Sequence, residues 1–385
     1  MIPYGRHEID ALDIEAVVDA LRSNFITQGS KVGEFEGSIT NYVGAKFGVA
    51  TNSATSALHL ACMALGLGRD DWLWTSPISF VASANCGLYC GARIDFVDID
   101  KKTITMCPIA LEKKLVEAKR QNRLPKIVIP VHMGGQSCDM VEIHKLSKIY
   151  GFKIIEDASH AIGGHYNNSP VGCCRYSEVT VFSFHPVKII TTAEGGMAVT
   201  NNQEVAEKMA LLRSHGVTRD EDKMPVSSDG PWFYQQIETG FNYRMNELQA
   251  ALGISQFKRL NNIVLRRNNL ANRYDKLLEK FPLSLPLRIE GTYSSFHLYI
   301  VRLKFDHIKI DKKQIFHSLK KKGIGANVHY IPIHTQPVFR SLGFVSGDFP
   351  QAEHYYSEAM SIPLFHSMTN EQQDLVVDAL MSTLI

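Results

Sequence analysis

Three short stretches carry residue types that could do chemistry together. The first holds Lys188, in Val187-Lys188-Ile189-Ile190, just past a β-branched and aromatic run at residues 179–184 and the polar His185. An ammonium in apolar surroundings loses solvation and its pKa falls, so the free amine becomes a nucleophile or a Schiff-base partner for an aldehyde. A solvated loop lysine is the plainer reading of the same residues. The second stretch is Thr51-Asn52-Ser53-Ala54-Thr55-Ser56, small and hydroxylated, between a strand pattern and the apolar helix pattern that follows. Free backbone N–H groups and a positive helix end would suit a phosphate there, although an ordinary Ser/Thr cap fits as well. The third is Lys153-Ile154-Ile155-Glu156-Asp157, an apolar run ending in two carboxylates. Asp157 could keep a ring nitrogen protonated or simply cap the next turn.

A phosphate cradle, a carboxylate for a pyridinium nitrogen and an aldehyde-accepting lysine are the parts a pyridoxal phosphate site requires. Each must be held at the end of its own element. Strand patterns recur at residues 47–51, 72–75, 94–99, 126–132, 153–157, 179–184 and 197–200, with helical patterns at 57–65, 80–89, 109–119 and 140–150 between them. Such alternation predicts an α/β fold with a mostly parallel sheet covered on both faces, and ligands at the carboxyl ends of its strands. A polar loop is expected at 217–236 and one long connecting helix at 246–265. Beyond it, strands at 295–305 and 326–330 and helices at 312–322 and 371–384 make a smaller α+β unit. The expected division is a large domain at 1–255 and a small one at 256–385.

Composition narrows the partners. The 385 residues are 45% hydrophobic and 21% charged with a net charge of +2, which points away from disorder and from an extended nucleic-acid surface. No apolar run reaches signal-peptide or membrane-spanning length, so a cytoplasmic protein is expected. The seven cysteines form no C-x-x-C pair and read as reduced thiols, and no metal site is expected. A nicotinamide-binding Rossmann unit would want G-x-G-x-x-G where this chain has Asn52-Ser53-Ala54-Thr55-Ser56.

The chain resembles the sugar-nucleotide aminotransferases of the fold-type-I pyridoxal-phosphate class over nearly its whole length. The resemblance rests on residues 52–58, 77–82, Glu156-Asp157-Ala158-Ser159-His160-Ala161, Ser183-Phe184-His185-Pro186-Val187-Lys188 and Gly240-Phe241-Asn242-Tyr243-Arg244-Met245-Asn246. It implies an aspartate-aminotransferase-like large domain with a seven-stranded sheet, and a smaller C-terminal α+β domain. It also implies that Lys188 carries pyridoxal 5′-phosphate covalently and shuttles the proton, with pyridoxamine phosphate as the amino-loaded form. Asp157 would meet the pyridine nitrogen. Ser53, Ala54, Thr55 and Ser183 would hold the phosphate, with Asn242 added from a neighbouring subunit of a homodimer that shares its active sites. Phe80 would stack on the ring, His160 would join the cofactor-binding residues and His185 the catalytic ones, and the two histidines would mark a branch that aminates carbon 4 of UDP-linked 4-keto-6-deoxy hexoses. Within that branch the blocks resemble enzymes of pseudaminic acid biosynthesis, with UDP-4-amino-arabinose formation as the alternative and L-glutamate as donor. Thr27, Gln28, Arg213, His329 and Tyr330 are the candidate substrate contacts, with Arg219 and His334 further along the same path. A 3-dehydrating relative would carry histidine in place of Lys188, and a non-catalytic cofactor-binding regulator would want a DNA-binding extension.

Overall fold

A computed structural model describes residues 1–384. Its central sheet has seven strands: β1 (Phe47–Thr51), β2 (Trp72–Thr75), β3 (Arg93–Phe96), β4 (Ile127–Ile129), β5 (Lys153–Asp157), β6 (Val179–Ser183) and β7 (Gly196–Thr200). The spatial order is β1-β7-β6-β5-β4-β2-β3, and β7 alone runs against its neighbours, so the sheet is mostly parallel as expected. Successive side chains leave opposite faces of a strand. Leu73, Ile127, Ile155 and Val181 therefore join one core, while Trp74, Val128 and Ile154 join another. Burial on both faces explains why these strands read as nearly continuous apolar runs.

Helices cover both faces: α1 (Ala11–Arg22), α2 (Ser30–Val43), α3 (Ala54–Ala64), α4 (Ala82–Tyr89), α5 (Pro108–Arg120), α6 (Met140–Tyr150), α7 (Gln203–Arg213) and α8 (Glu247–Phe257). The expected long connecting helix is in fact two, because the chain bends at Lys258 and Arg259 before α9 (Leu260–Leu277) begins. Arg259 is drawn to Asp10 at 2.9 Å and to the fully buried Asp13 at 2.6 Å, which fastens the bend to α1. The division drawn from the sequence at residue 256 falls in the last turn of α8.

A second, smaller sheet follows in the order β8 (Leu283–Ser284), β9 (Tyr299–Leu303) and β10 (Ala359–Ile362). The strand expected at 326–330 does not form. Its one pairing is a bridge from Asn327 to Ser361, and β10 takes the third place in the sheet. Residues 217–236 are less irregular than expected, since Val217–Thr218 pairs with Gln235–Gln236. Tyr274, Tyr299, Val301, Met360 and Val376 pack a separate core here, with α9, α10 (Lys312–Lys321) and the C-terminal helix Asn370–Leu384 around it.

One long-range cap ties the N-terminal loop to this scaffold. The N-cap of α2 is Gly29, which offers no side chain, so the first N–H groups of that helix need an acceptor from elsewhere. The buried Glu247 of α8 supplies it, accepting from the N–H of Lys31 at 2.8 Å and of Val32 at 3.3 Å. A carboxylate at a helix N-terminus also meets the positive end of the dipole. Glu247→Ala would leave these partly buried donors without their acceptor; urea unfolding should show a loss of about 1–2 kcal/mol, with Glu247→Gln losing less.

Candidate active site

The carboxyl ends of β1, β2, β4, β5 and β6 open onto one cavity of about 570 Å³, closed on its far side by residues 297 and 327–330 of the smaller unit. Ser53, Ala54, Thr55, Phe80, Asp157, His160, Ser183, His185, Lys188, His329 and Tyr330 all line it. The structure thus gathers residues separated by up to some hundreds of positions where the parallel strands end.

The lysine loop joins β6 to the antiparallel β7, so it is short and doubles back on itself. Phe184 donates its N–H to the Gly195 carbonyl at 2.9 Å, and its own carbonyl accepts from Thr192 N–H and the Thr191 hydroxyl, each at 3.0 Å. Within this clasp Lys188 is half-buried, with its amine toward the cavity. Burial lowers its pKa from 10.5 to about 8, against the opposing pull of the Asp157 carboxylate. Roughly a tenth of the amine is then free at pH 7, far more than for a solvated lysine.

Asp157 ends β5 and is itself held. Its Oδ2 accepts from the Ser83 hydroxyl at 2.6 Å and its Oδ1 from Ser159 N–H at 3.1 Å, while Ser83 in turn shares a 2.6 Å hydrogen bond with Ser79. Glu156, one residue earlier, leaves the opposite face and bonds His132 at 2.7 Å and Thr180 at 3.1 Å. Strand alternation therefore separates the two adjacent carboxylates, and only Asp157 faces the cavity.

The anion cradle is built by register. Gly196, first in β7, pairs with Thr51 on one side and Ser183 on the other, which places the end of β6 beside the start of α3. Ser53 caps α3 by accepting from Ser56 N–H at 3.1 Å, and the first-turn N–H groups of Ala54 and Thr55 stay open to the cavity. A Cβ on Gly196 would come within 2.3 Å of Ala54 N and 2.5 Å of Ala54 Cα, so only glycine lets the backbones approach this closely. An amine nucleophile, a carboxylate, an open helix N-terminus beside Ser183 and the exposed aromatic face of Phe80 fit the functional groups of pyridoxal phosphate.

Aromatic and imidazole rings form the remaining wall. His160 accepts Gly134 N–H at Nδ1, 3.2 Å, and its Nε2 lies 3.2 Å from the Tyr330 hydroxyl with the two rings stacked. Accepting at Nδ1 puts the proton on Nε2. Burial, with Lys188 and His329 adding to it, keeps His160 uncharged, well below the usual histidine range. His329 bonds Ser361 at 2.8 Å, and burial followed by Lys188 lowers its pKa to about 4. Burial pushes the Tyr330 phenol up, and the Asp157 charge adds to this.

Other candidates lie elsewhere. Arg213 bonds Glu36 and the Ala50 carbonyl, both at 2.7 Å, so its guanidinium braces β1 and is not among the cavity walls. Thr27, Gln28 and Asn242 are exposed and also absent from those walls. Arg219 lies over Tyr234 and His334 pairs with Glu353 at 2.9 Å. Among the described residues no cluster suited to a metal ion occurs, and no helix is long and apolar enough to cross a membrane. Sequence reasoning missed Ser83, Ser159 and His297. The Ser79 to Ser83 spacing hinted at one helical face, but nothing in the chain tied Ser83 to a carboxylate 74 positions away.

A sequence profile described as the DegT/DnrJ/EryC1/StrS aminotransferase family matches residues 7–381. The UDP-4-amino-4,6-dideoxy-N-acetyl-β-L-altrosamine transaminase of Campylobacter jejuni is 38% identical over 386 aligned positions, spanning 100% of this chain and 98% of that one. The crystal structure of PseC from Helicobacter pylori, an aminotransferase involved in the biosynthesis of pseudoaminic acid, superposes with a TM-score of 0.90 at 33% identity, covering 100% of this chain and 99% of the other. A putative sugar aminotransferase from Streptococcus pneumoniae, Spr1654, in its PLP form, gives 0.89 at 28% identity with both chains fully covered.

A half-buried amine that prefers to be neutral opposes folding while it is protonated. The gap between 10.5 and about 8 sets an upper limit on the order of 3 kcal/mol, reduced because the amine keeps a side open to the cavity. Lys188→Met should therefore raise the melting temperature of the ligand-free protein at pH 7. Between pH 8 and 10.5 the native amine is already neutral while the unfolded one still binds a proton. Wild-type stability thus gains on the variant as pH rises through that window, and the advantage of Lys188→Met should shrink in a calorimetric pH series.

Proposed function

The chain belongs to the DegT/DnrJ/EryC1/StrS aminotransferase family and is a pyridoxal-phosphate-dependent sugar aminotransferase, and from that premise we propose that it moves the amino group of L-glutamate to C4 of a UDP-linked 4-keto-6-deoxy-N-acetylhexosamine. The observation that carries the chemistry is the Lys188 amine, with its lowered pKa, in one cavity with Asp157 and the open N-terminus of α3. The sugar assignment is supported by the named activities of the Campylobacter jejuni and Helicobacter pylori relatives, and under it the protein would act in a pathway leading to pseudaminic acid.

Bound pyridoxal phosphate supplies an aldehyde for the amine and a ring that draws electrons from the reacting carbon. Asp157, fixed by Ser83 and Ser159, would hold the pyridine nitrogen of that group and favour its protonated form. The N–H groups of Ala54 and Thr55 and the Ser183 hydroxyl hold the phosphate. The Lys188 amine, whose lowered pKa suits it to carry a proton in either direction, would take the proton from Cα of glutamate and would deliver one to C4 of the keto sugar. The purified protein should absorb as a Schiff base and bleach on adding L-glutamate. A panel of UDP- and dTDP-linked keto sugars, followed by mass and NMR, then identifies the acceptor. Lys188→Ala should lose about a hundredfold or more in turnover. A variant with full turnover would end the proposal.

We further propose a homodimer in which Asn242 reaches the phosphate of the neighbouring subunit. Its exposure, and its absence from the cavity of its own chain, support this arrangement. Lys188→Ala and Asn242→Ala, each impaired alone, should regain about a quarter of wild-type activity when refolded together, because half of the random dimers carry one intact site. Recovery no greater than the sum of the two separate proteins would place Asn242 outside the neighbouring site.

A further inference from the structure

One ring in the cavity wall has no partner. His297 is 4% exposed, lies two residues before β9, and lines the cavity. Its Nδ1 is enclosed and makes no hydrogen bond, and no side-chain hydrogen bond reaches the ring from any described residue. The neighbouring His160, with ring centroids 4.4 Å apart, has both nitrogens engaged. A buried polar group without a partner is costly, so such a ring at a cavity wall calls for a ligand atom to complete it.

The tautomer follows from the enclosure. A sealed, orphaned N–H is less tolerable than a sealed lone pair, which places the proton on Nε2, the nitrogen left to meet the cavity. The backbone that carries the ring is pinned. Arg267, fully buried on α9, donates through Nη1 to the carbonyls of Phe296 and His297 at 3.2 Å each and of Leu364 at 3.1 Å. Burial holds the imidazole uncharged, and the nearby His160, Lys188 and Arg267 reinforce this. The group presented to the cavity is therefore a fixed, neutral N–H donor.

We infer that His297 is a ligand-binding residue whose Nε2–H donates a hydrogen bond to an oxygen of the bound reactants, either the cofactor's ring oxygen or an oxygen of the keto sugar. The inference rests on the aminotransferase reading for the identity of those reactants, and on the unpartnered ring for the donor.

The test compares His297→Phe, which keeps a planar ring without nitrogen, with His297→Gln, whose amide N–H₂ sits near the place of Nε2. Folding is checked by circular dichroism and melting, cofactor affinity by absorbance titration with pyridoxal phosphate, and kcat and KM with L-glutamate and with the keto sugar separately. His297→Phe should lose about tenfold. If the loss falls in cofactor affinity, the acceptor is the cofactor's oxygen; if it falls in kcat/KM for the sugar alone, the acceptor is on the sugar. His297→Gln should recover most of either loss. A folded His297→Phe with unchanged affinity and kinetics overturns the inference, and so does a His297→Gln no better than His297→Phe, because the effect would then be packing. Wild-type protein that failed to bind pyridoxal phosphate would strike instead at the functional reading, whatever the variants did.

Discussion

The structure depends on keeping one amine poorly solvated opposite one carboxylate. Lys188 and Asp157 come from neighbouring strands, β6 and β5, and both emerge where those strands end. Had the surrounding loop been open to water, the amine would stay charged and unreactive near neutral pH; had Asp157 been absent, burial alone would act on it. The clasp of Thr191, Thr192 and Gly195 on Phe184 sets the first condition, and the serines on Asp157 set the second.

Reversal of a single strand makes this compact. In an all-parallel sheet the segment after β6 would have to cross back over a face to the opposite end of the sheet before the next strand could begin. Because β7 runs antiparallel, all of residues 184–195 stays at the end of the sheet where β6 stops, and its last step lands Gly196 between Thr51 and Ser183. One topological choice therefore brings the lysine turn and the open start of α3 together. It also explains why a glycine is required at that point, since the α3 backbone lies within contact of where a side chain would begin.

The sheet and the strand-end residues were legible in the sequence because their signal is local: apolar runs, then a change to Ser, Asp or Lys at the point of exit. Helix α3 and Asp157 needed no long-range information. What escaped was long-range. The capping of α2 by Glu247 joins positions 216 apart, the bend between α8 and α9 is fastened by Asp10 and Asp13 at the other end of the chain, and residues 326–330 meet β10 only through the single bridge at Asn327. Arg213 has the chemistry of a phosphate ligand, but Glu36, a residue on another helix, takes it up. His297 escaped for a related reason, since its lack of a partner is visible only once the cavity around it is complete.

The imidazoles around the cavity sharpen the role of Lys188. His160, His297 and His329 are all held uncharged, primarily by burial, and for each of them the lysine charge adds to the effect. The coupling works in both directions: cationic histidines at these positions would push the lysine pKa down further and leave several positive charges to be desolvated together. Neutral rings avoid that repulsion and keep their hydrogen-bonding capacity. They can donate to oxygen atoms without adding a positive charge that would compete with the open N-terminus of α3 for an anion. The positive charge that does appear in this wall is thus concentrated on Lys188, whose own pKa burial lowers to about 8.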